Sequence, residues 1–376
     1  MTAAARKIAI IAPKMYPVLK RSDIDTFGGA EVALALVARQ LSQHADLDVH
    51  VLVGDYGQDE EERMQGLTLH RALRSDAGML RNATKLLASL RSVDAQVYIQ
   101  RTLTIASTVI ALYCKASRRK FVYWVAHDGE TDGAHPLYKK RATSLLVDLM
   151  FKLASHVIVQ NQYEEKQLQE RFSGIRCTLI KKGIHLPAES AEHQESIDAL
   201  WVGRCDEWKN PEAFIELARD HSNFRFLMIC PAAEGKEEYY RKVTSCASDC
   251  SNLDFRGRTA NHEVLELMRQ SKVFCITSSQ EGDWPNVVLE AASLRKPILS
   301  LAINYDDLIT KYEGGRCGNS SYPIFSDEFK RMMRDSDRRK KMGNGAYNYV
   351  REAHNTRDQN TKLTTLLDGL FEQFSR

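Results

Sequence analysis

The sequence predicts an α/β protein built from two Rossmann-like domains, and three features point to this class. Short apolar runs alternate with longer amphipathic stretches, as in parallel sheets whose strands are joined by helices. The alternation occurs in two series, which are separated by a polar stretch without clear periodicity. The length of 376 residues is enough for two domains of ordinary size, each with its own hydrophobic core.

The first series predicts a sheet in the N-terminal half of the chain. A helix is expected between its first two strands, beginning near Gly29 and ending at Leu41, because apolar residues recur there on one side. The predicted strands cover residues 8–12, 49–53, 97–99, 121–125 and 157–159.

The second series predicts a similar sheet in the C-terminal half. Between the two series, residues 183–196 contain Pro187 and several polar residues, which is typical of a linker. We therefore expect an N-terminal domain at 1–186 and a C-terminal domain at 187–356. Residues 357–376 carry leucines at helical spacing and are expected to form a helix that docks back on the first domain. The predicted strands of the second series cover residues 200–202, 226–229, 253–255, 273–276 and 298–301.

The composition excludes several classes of protein. Hydrophobic residues make up 43% of the chain and charged residues 27%, which is typical of a globular protein. No apolar run approaches the ~18 residues that span a bilayer, and the first run lacks the features of a signal peptide, so we expect a cytoplasmic protein. A net charge of +3 is too small to indicate a nucleic-acid partner. The cysteines are scattered, without the spacing of a zinc site.

In open α/β sheets, ligands bind outside the carboxyl ends of the strands, so the loops that follow the apolar runs are the candidate sites. The first of these loops ends in Gly28-Gly29 at the start of a helix. Bare backbone at a helix N-terminus suits phosphate, because the free N–H groups and the helix dipole both point outward. A tight turn that binds no ligand has the same pattern.

The second loop follows the first strand of the second series and contains Arg204 and Lys209. These two cations can converge on one diphosphate, since arginine offers a planar fork of donors and lysine a mobile charge. Solvated surface cations are the simpler interpretation of the residue types alone. The position at a strand's carboxyl end is what favours a binding role.

The third loop, residues 277–285, leads into a helix that starts around Pro285 and Asn286. Glu281 lies in the loop and Glu290 about one turn inside the helix. Such a carboxylate pair can accept hydrogen bonds from sugar or ribose hydroxyls while the helix N-terminus faces phosphate. On charge alone, an exposed loop acid and a helical surface acid would explain the pair.

The fourth loop carries His127, directly after the predicted strand 121–125. A histidine at the carboxyl end of a strand can contact the reacting sugar. A lone histidine is more often a hydrogen-bonded structural group, so this residue becomes a candidate only together with the other three loops.

Taken together and in this order, the four loops resemble the retaining GT-B glycosyltransferases of family 4, the glycosyl transferases group 1. The likeness covers nearly the whole chain. Its most specific part is Glu281-Gly282 followed by Pro-Asn-Val-Val-Leu-Glu-Ala at 285–291, which looks like the family's Glu-rich donor motif. The resemblance implies two Rossmann-like domains that face each other across a cleft, with the acceptor on the N-terminal side. The supporting segments are residues 27–32, 203–209 and 255–258.

The resemblance also implies a role for each candidate residue. Arg204 and Lys209 would hold the donor diphosphate, and Glu290 would bind the nucleotide ribose. Glu281 would contact the transferred sugar, and His127 would hydrogen-bond it. The candidate catalytic residues are His127, Glu281, Arg204 and Lys209.

The remaining candidates would bind the donor through the backbone or beside its base. By resemblance, Asn286 and Val287 would offer N–H groups to the distal phosphate, and Gly28 and Gly29 would approach the same diphosphate from the N-terminal domain. Arg258 lies where the family's nucleotide base packs.

The sequence departs from the family pattern at two places. Eight residues separate Glu281 from Glu290, where the family usually has seven, and the extra residue falls around Asp283-Trp284. A bulged loop would keep both acids in place. At the linker, Lys181-Lys182-Gly183 replaces a frequent Pro-Asn-Gly.

The mechanism that the resemblance implies needs no metal and no cofactor. Retention through attack on the same face, with the leaving phosphate assisting deprotonation, requires no dedicated protein base. The acceptor would be a hydroxyl of a glycan or of a lipid-linked molecule in polysaccharide or glycoconjugate biosynthesis. Two Asp-x-Asp segments, residues 23–25 and 46–48, do not follow a central strand as metal-bound diphosphate requires, and we interpret them as solvated acids.

Two other functions remain as alternatives. A nicotinamide-dependent oxidoreductase or sugar epimerase would also use Rossmann-like domains, but no Gly-x-Gly-x-x-Gly follows the first strand, and Gly343-Asn-Gly345 lies late in a helical region. A nucleotide-sugar-binding protein without catalysis is the other alternative.

A peripheral contact with an anionic membrane is a further open question. Residues 138–141 (Tyr-Lys-Lys-Arg) open a helix that carries leucines, and residues 115–120 add a second basic patch in the same domain. Such a basic and apolar combination can rest on anionic lipid. An ordinary docked helix with a solvated end has the same sequence.

Overall fold

The computed structural model describes residues 6–20, 29–73, 79–187 and 194–374. The chain divides into two compact units, the N-terminal unit (Met1–Lys182 with Arg357–Arg376) and the C-terminal unit (Gly183–Thr356). Each unit contains one predominantly parallel sheet with helices packed on it. The predicted class, α/β with two Rossmann-like domains, is confirmed.

The sheet of the N-terminal unit has eight strands in the order β3-β4-β2-β1-β5-β6-β7-β8. All neighbouring strands are parallel except β3 and β4. The strand order reverses at β1, which lies between β2 and β5. The strands are β1 (Arg6–Ile11), β2 (Leu47–Gly54), β3 (Glu61–Met64), β4 (Leu67–Leu73), β5 (Val97–Arg101), β6 (Lys120–Trp124), β7 (His156–Val159) and β8 (Cys177–Leu179).

Both faces of this sheet are buried, which explains why its inner strands read as continuous apolar runs. On β1, for example, Ile8 and Ile10 belong to one core cluster and Ala9 and Ile11 to the other. The helices are α1 (Tyr16–Lys20), α2 (Gly29–Leu41), α3 (Met79–Val93), α4 (Ile105–Ala116), α5 (Gly129–Asp132), α6 (Arg141–Leu153) and α7 (Gln162–Arg171).

The sheet of the C-terminal unit has six parallel strands in the order β11-β10-β9-β12-β13-β14. The direction of strand addition reverses between β9 and β12, and loops at such a point diverge and leave room for a ligand. The strands are β9 (Ile197–Val202), β10 (Phe226–Ile229), β11 (Leu253–Arg256), β12 (Ser271–Ile276), β13 (Ile298–Ser300) and β14 (Gly315–Cys317).

Among the described residues, four helices alternate with the strands of the C-terminal sheet, and three more follow the sheet in the chain. The final helix, α14, contributes Leu363, Leu367, Leu370 and Phe371 to the core of the N-terminal unit. Within the described residues, no helix is both long enough and apolar enough to cross a bilayer. The helices are α8 (Pro211–Asp220), α9 (Glu237–Ser248), α10 (Asn261–Arg269), α11 (Asn286–Ser293), α12 (Tyr322–Arg334), α13 (Ser336–Ala353) and α14 (Thr356–Glu372).

One expected loop is partly helical. The segment between the first predicted strand and Gly29 was expected to be a loop, but α1 occupies Tyr16–Lys20, so that expectation is wrong for this part. The helix is short and is fixed by tertiary packing, since Met15 and Leu19 are buried in the core. A single turn of this kind has no helical period that sequence analysis could detect.

The two glycines of Gly343-Asn-Gly345 have a packing role in α13. A Cβ atom at Gly343 would lie 2.0 Å from the carbonyl oxygen of Arg295, and one at Gly345 would lie 2.0 Å from that of Tyr312. Both positions therefore need glycine so that the helix can approach neighbouring backbone closely.

We expect Gly343→Ala to destabilise the protein by about 2–3 kcal/mol through this overpacking. Gly369 in α14 is the matched control, because no atom lies within 4 Å of its added Cβ. Gly369→Ala should stabilise by about 0.5–1 kcal/mol, as alanine generally does in a helix. Denaturant midpoints of the two variants test this, and shifts of the same sign would contradict the packing argument.

Candidate functional site

The loops that follow β9 and β12 lie side by side at the switch point of the C-terminal sheet. Trp201 Nε1 donates to Thr277 Oγ1 at 2.9 Å, and Thr277 Oγ1 donates to the carbonyl oxygen of Lys209 at 2.8 Å. The Ser279 amide donates to the carbonyl oxygen of Trp208 at 2.9 Å. These bonds fix residues 203–210 against residues 277–285.

The centre of this pair of loops is an ion pair between Lys209 and Glu281. Their side chains are only 15% and 9% exposed. Ser278 Oγ also donates to Glu281 Oε1, at 2.8 Å. The ammonium of Lys209 lies 4.1 Å from the centroid of the Trp208 ring. Burial lowers the pKa of Lys209, while the carboxylate of Glu281 acts in the opposite direction.

A buried ion pair is poor evidence for a stabilising role, because desolvation of both charges offsets their attraction. Its position is more informative. The pair lies where the loops of a doubly wound sheet bind ligands, and shifted pKa values cluster at such sites. The sequence predicted both residues as site residues but did not predict that they contact each other.

The backbone of Glu281 is held by Tyr305, a residue that sequence analysis missed. The Glu281 amide donates to the Tyr305 hydroxyl at 3.0 Å, and that hydroxyl donates to the Glu281 carbonyl oxygen. Trp284 is fully buried, and its Nε1 donates to the carbonyl oxygen of Tyr305 at 2.8 Å. The loop with the extra residue is thus anchored by two aromatic side chains.

We expect Tyr305→Phe to lower kcat about 10-fold while leaving the overall fold intact, because only the hydroxyl that positions Glu281 is removed. Steady-state kinetics and the thermal unfolding midpoint should be measured together. Phe325→Leu, a change in the core away from these loops, is the control for destabilisation without displacement of Glu281. Equal losses of kcat in both variants would show that Tyr305 acts only through stability.

The N-terminus of α11 faces the same edge of the sheet. The helix follows Pro285, and no side chain of the described residues caps its N-terminus. The first amide of the helix with an acceptor among the described residues is that of Val288, which donates to the Pro285 carbonyl oxygen at 2.9 Å. The N–H groups of Asn286 and Val287 therefore point outward at the positive end of the helix, an arrangement that suits an anion.

Glu290 lies one turn further along α11. Its side chain makes no hydrogen bond or ion pair with any residue of the described ranges, and burial raises the pKa of its carboxyl group. A partly buried carboxylate without a partner costs stability, which makes a binding role the better explanation.

The two predicted arginines differ in their environments. Arg204 is 65% exposed at its side chain, and its guanidinium lies 3.1 Å from Asp206 Oδ2. Arg258 is exposed and follows β11, the edge strand two positions from β9. Arg204 therefore belongs to the loop of the central pair, whereas Arg258 lies farther along the sheet edge.

In the N-terminal unit, His127 is exposed in the loop between β6 and α5. Its Nδ1 accepts from the Gly129 amide at 3.0 Å. In the neutral ring the proton is therefore on Nε2, which is available as a donor. Gly29 is the first residue of α2. Gly28 lies outside the described residues.

Glu130 positions the loop of His127 and was given no role by sequence analysis. It is buried and accepts from the amides of Leu103 at 3.0 Å and Ala126 at 2.9 Å, and from the Tyr123 hydroxyl at 2.8 Å. Burial raises the pKa of this carboxyl group. Three acceptor bonds from one side chain join the loops that follow β5 and β6.

The two acids of the second Asp-x-Asp segment, residues 46–48, have local partners. Asp46 pairs with Arg6, and Asp48 Oδ2 lies 3.0 Å from His50 Nε2. The side chains of Asp46 and Asp48 remain 59% and 42% exposed, so these acids are solvated, as we interpreted them, although each also has a partner. Asp23 and Asp25 lie outside the described residues. In the ranges that the structure describes, no cluster of three or more His, Cys, Asp or Glu could hold a metal ion.

Comparisons with known proteins identify the family and the fold. The chain matches the family model "Glycosyltransferase Family 4" over residues 27–186 and the model "Glycosyl transferases group 1" over residues 185–349. The second match contains β9 to β14 and all candidate residues of the C-terminal unit. No curated protein matches the sequence.

Solved structures similar to this one extend over nearly the whole chain. Sucrose-phosphate synthase from Thermosynechococcus elongatus has a TM-score of 0.76 at 16% identity, covering 98% of this chain and 100% of its own. Anabaena HepE in complex with UDP and glucose has a TM-score of 0.74 at 15% identity, covering 96% and 99%. A glycosyltransferase from Rickettsia africae has a TM-score of 0.74 at 12% identity, covering 98% and 99%. The chain therefore belongs to the glycosyltransferases of family 4, the glycosyl transferases group 1, and has their GT-B fold.

Proposed function

We propose that the chain transfers a sugar from a nucleoside diphosphate donor to a hydroxyl of a glycan or lipid-linked acceptor, with retention of anomeric configuration. A role in polysaccharide or glycoconjugate biosynthesis follows from that chemistry. The observation that carries the proposal is the buried Lys209–Glu281 pair beside the open N-terminus of α11. A cation, a carboxylate and free amides at one sheet edge match a sugar joined to a diphosphate.

The diphosphate is the group that the site must stabilise. As the bond to the anomeric carbon breaks, negative charge grows on the leaving phosphate, and fixed donors in a partly dry site stabilise it. Lys209 supplies a charge, and Asn286 and Val287 supply main-chain N–H groups. The guanidinium of Arg204 would contribute a further charge, because its side chain stays 65% exposed beside the buried Asp206.

The two carboxylates would recognise the neutral parts of the donor. Glu290 has both oxygens available for the ribose hydroxyls, and Glu281 would accept from hydroxyls of the transferred sugar while Lys209 and Ser278 hold it. Arg258 would lie beside the base. In the N-terminal unit, His127 would donate from Nε2 to the donor sugar, and the amides of Gly28 and Gly29 would approach its phosphates.

Retention without a protein base and without a metal is part of the proposal. The leaving phosphate itself would assist deprotonation of the acceptor hydroxyl on the same face. Lys209, Arg204 and the helix N-terminus would carry the charge that a divalent cation carries in metal-dependent transferases.

A donor screen tests the proposal. UDP-, GDP- and ADP-sugars are each incubated with the protein, and nucleotide release is measured with and without a chelator. UDP-glucose comes first, because HepE is described in complex with it. We expect one donor class to release its nucleotide by transfer of the sugar to water, at a rate that the chelator does not change. NMR recorded before mutarotation should show the donor's anomeric configuration in the released sugar. Binding without turnover, or inversion, would refute the proposal.

A further inference from the structure

The N-terminal unit has a groove of about 900 Å³ at the amino-terminal ends of β6, β7 and β8. The loops of Leu103 and His127 lie at the opposite, carboxyl edge of the same sheet, so the groove is separate from them. No acidic residue lines it. Its basic lining residues are Lys115, Arg118, Arg119, Lys120, Lys152 and Arg176.

Most of these cations have no counterion among the residues that the structure describes. Arg119 bonds Asp94 at 2.5 Å, and Lys120 donates to Gln373 at 2.7 Å. The other four form no ion pair with any residue in the described part of the chain. Cations at the C-terminal ends of α4 and α6 interact favourably with the helix dipoles. The same cations repel one another across the groove. An anionic partner would relieve this repulsion.

Exposed leucines lie on α4 and α6, the helices whose C-terminal ends line this groove. Leu112 is 46% exposed and Leu145 is 61% exposed. The two helices pack side by side, and Thr108 Oγ1 donates to the Leu146 carbonyl oxygen at 2.9 Å. Leu112, one turn beyond Thr108, therefore lies about level with Leu149 and about one turn along the helix axis from Leu145. Each of the two adjacent helices thus exposes one leucine, and Leu149 of α6 is half-buried.

The charge pattern of these helices is one-sided. Helix α4 contains no acidic residue, and the one acid of α6, Asp148, is bonded to Arg171 of α7 at 2.7 Å. Lys139, Lys140 and Arg141 are exposed at the start of α6 and make no ion pair within the described ranges. The leucines lie between this basic group and the basic groove.

We propose that the α4–α6 surface rests on a bilayer that contains anionic lipid. This surface consists of Leu112, Leu145 and Leu149, with Lys139–Arg141 at one end and the groove cations at the other. The leucines enter the boundary between headgroups and acyl chains, and the cations contact lipid phosphates. A soluble polyanion would use the cations but gain nothing from the leucines. The proposal does not depend on the donor or the acceptor.

Vesicle flotation of the full chain tests the proposal. We expect the protein to float with vesicles of equimolar phosphatidylglycerol and phosphatidylcholine at low salt, and not with pure phosphatidylcholine. Two variants separate the contributions: Arg118→Glu with Lys152→Glu, and Leu112→Gln with Leu145→Gln. Each should lower the partition coefficient about tenfold or more.

The matched controls lie on the C-terminal unit. Ile324→Gln replaces an apolar residue that is 48% exposed, and Arg334→Glu with Lys340→Glu reverses two exposed cations. Both should float as the unaltered protein does, and thermal midpoints should show that all variants are folded. Failure to float with the anionic vesicles would overturn the proposal. So would flotation that needs the cations but survives the leucine changes, because the leucines would then not enter the bilayer.

Discussion

Lys209→Met is expected to lower kcat/KM for sugar transfer about 10²–10³-fold, the loss typical of removing one preorganised group that stabilises developing negative charge. Methionine keeps an unbranched chain over the Trp208 ring, where the ammonium lies 4.1 Å from the centroid. The substitution removes the one buried cation of the loops at residues 203–210 and 277–285. The effect should be mainly on kcat, because the charge on the leaving diphosphate grows in the transition state.

The matched control is Lys236→Met. Lys236 pairs with Glu207 at 2.9 Å, but the two side chains are 42% and 55% exposed. An exposed pair of this kind contributes little, so kcat/KM should stay within about twofold of the unaltered protein. Breaking the buried pair also leaves Glu281 without its cation, and the thermal midpoint must be measured so that activity is compared per folded molecule. Unchanged kcat in Lys209→Met would exclude the lysine from charge stabilisation.

The strands and helices that sequence analysis located best are those with strong periodicity or burial on both sides. The predicted helix from Gly29 to Leu41 and the predicted strand at 226–229 coincide with α2 and β10. The strand β3 was missed, since Glu61–Met64 (Glu-Glu-Arg-Met) has no apolar run. It forms an antiparallel hairpin with β4 across Gln65 and Gly66, both of which have positive φ. Its position depends on pairing with β4 and not on its own composition.

The candidate site was predicted only in part, because some of its contacts also depend on the packing of segments that are distant in the chain. Lys209, Glu281 and Glu290 were found because they follow strands or open a helix, and this position can be read from sequence. The contact between Lys209 and Glu281 joins residues 72 positions apart, and Tyr305 reaches Glu281 from an irregular segment after β13. Such contacts depend on how two loops pack, which no local pattern records. The donor-binding and catalytic roles of these residues stay predictions.

Glu290→Gln is expected to weaken nucleoside diphosphate binding about 10–100-fold, the range for hydrogen bonds to a charged group. Glutamine has nearly the same shape but only one acceptor oxygen and no charge for the ribose hydroxyls. Isothermal titration with UDP, GDP and ADP measures the change. Glu216→Gln, at an exposed glutamate on α8, is the control and should bind as the unaltered protein does.

The pH dependence and the stability of Glu290→Gln separate a binding role from a structural one. Burial raises the pKa of Glu290 in the free protein, and ribose hydroxyls would donate to the ionised form, so affinity should fall as pH decreases towards that raised pKa. The glutamine variant should lack this dependence. Because the folded protein disfavours the charged carboxylate relative to the unfolded chain, its ionisation costs stability above the raised pKa. Glutamine removes that cost, so the variant should unfold at a higher temperature near neutral pH while binding nucleotide less well. A variant that lost stability and kept its affinity would show that Glu290 stabilises α11 and does not bind the donor.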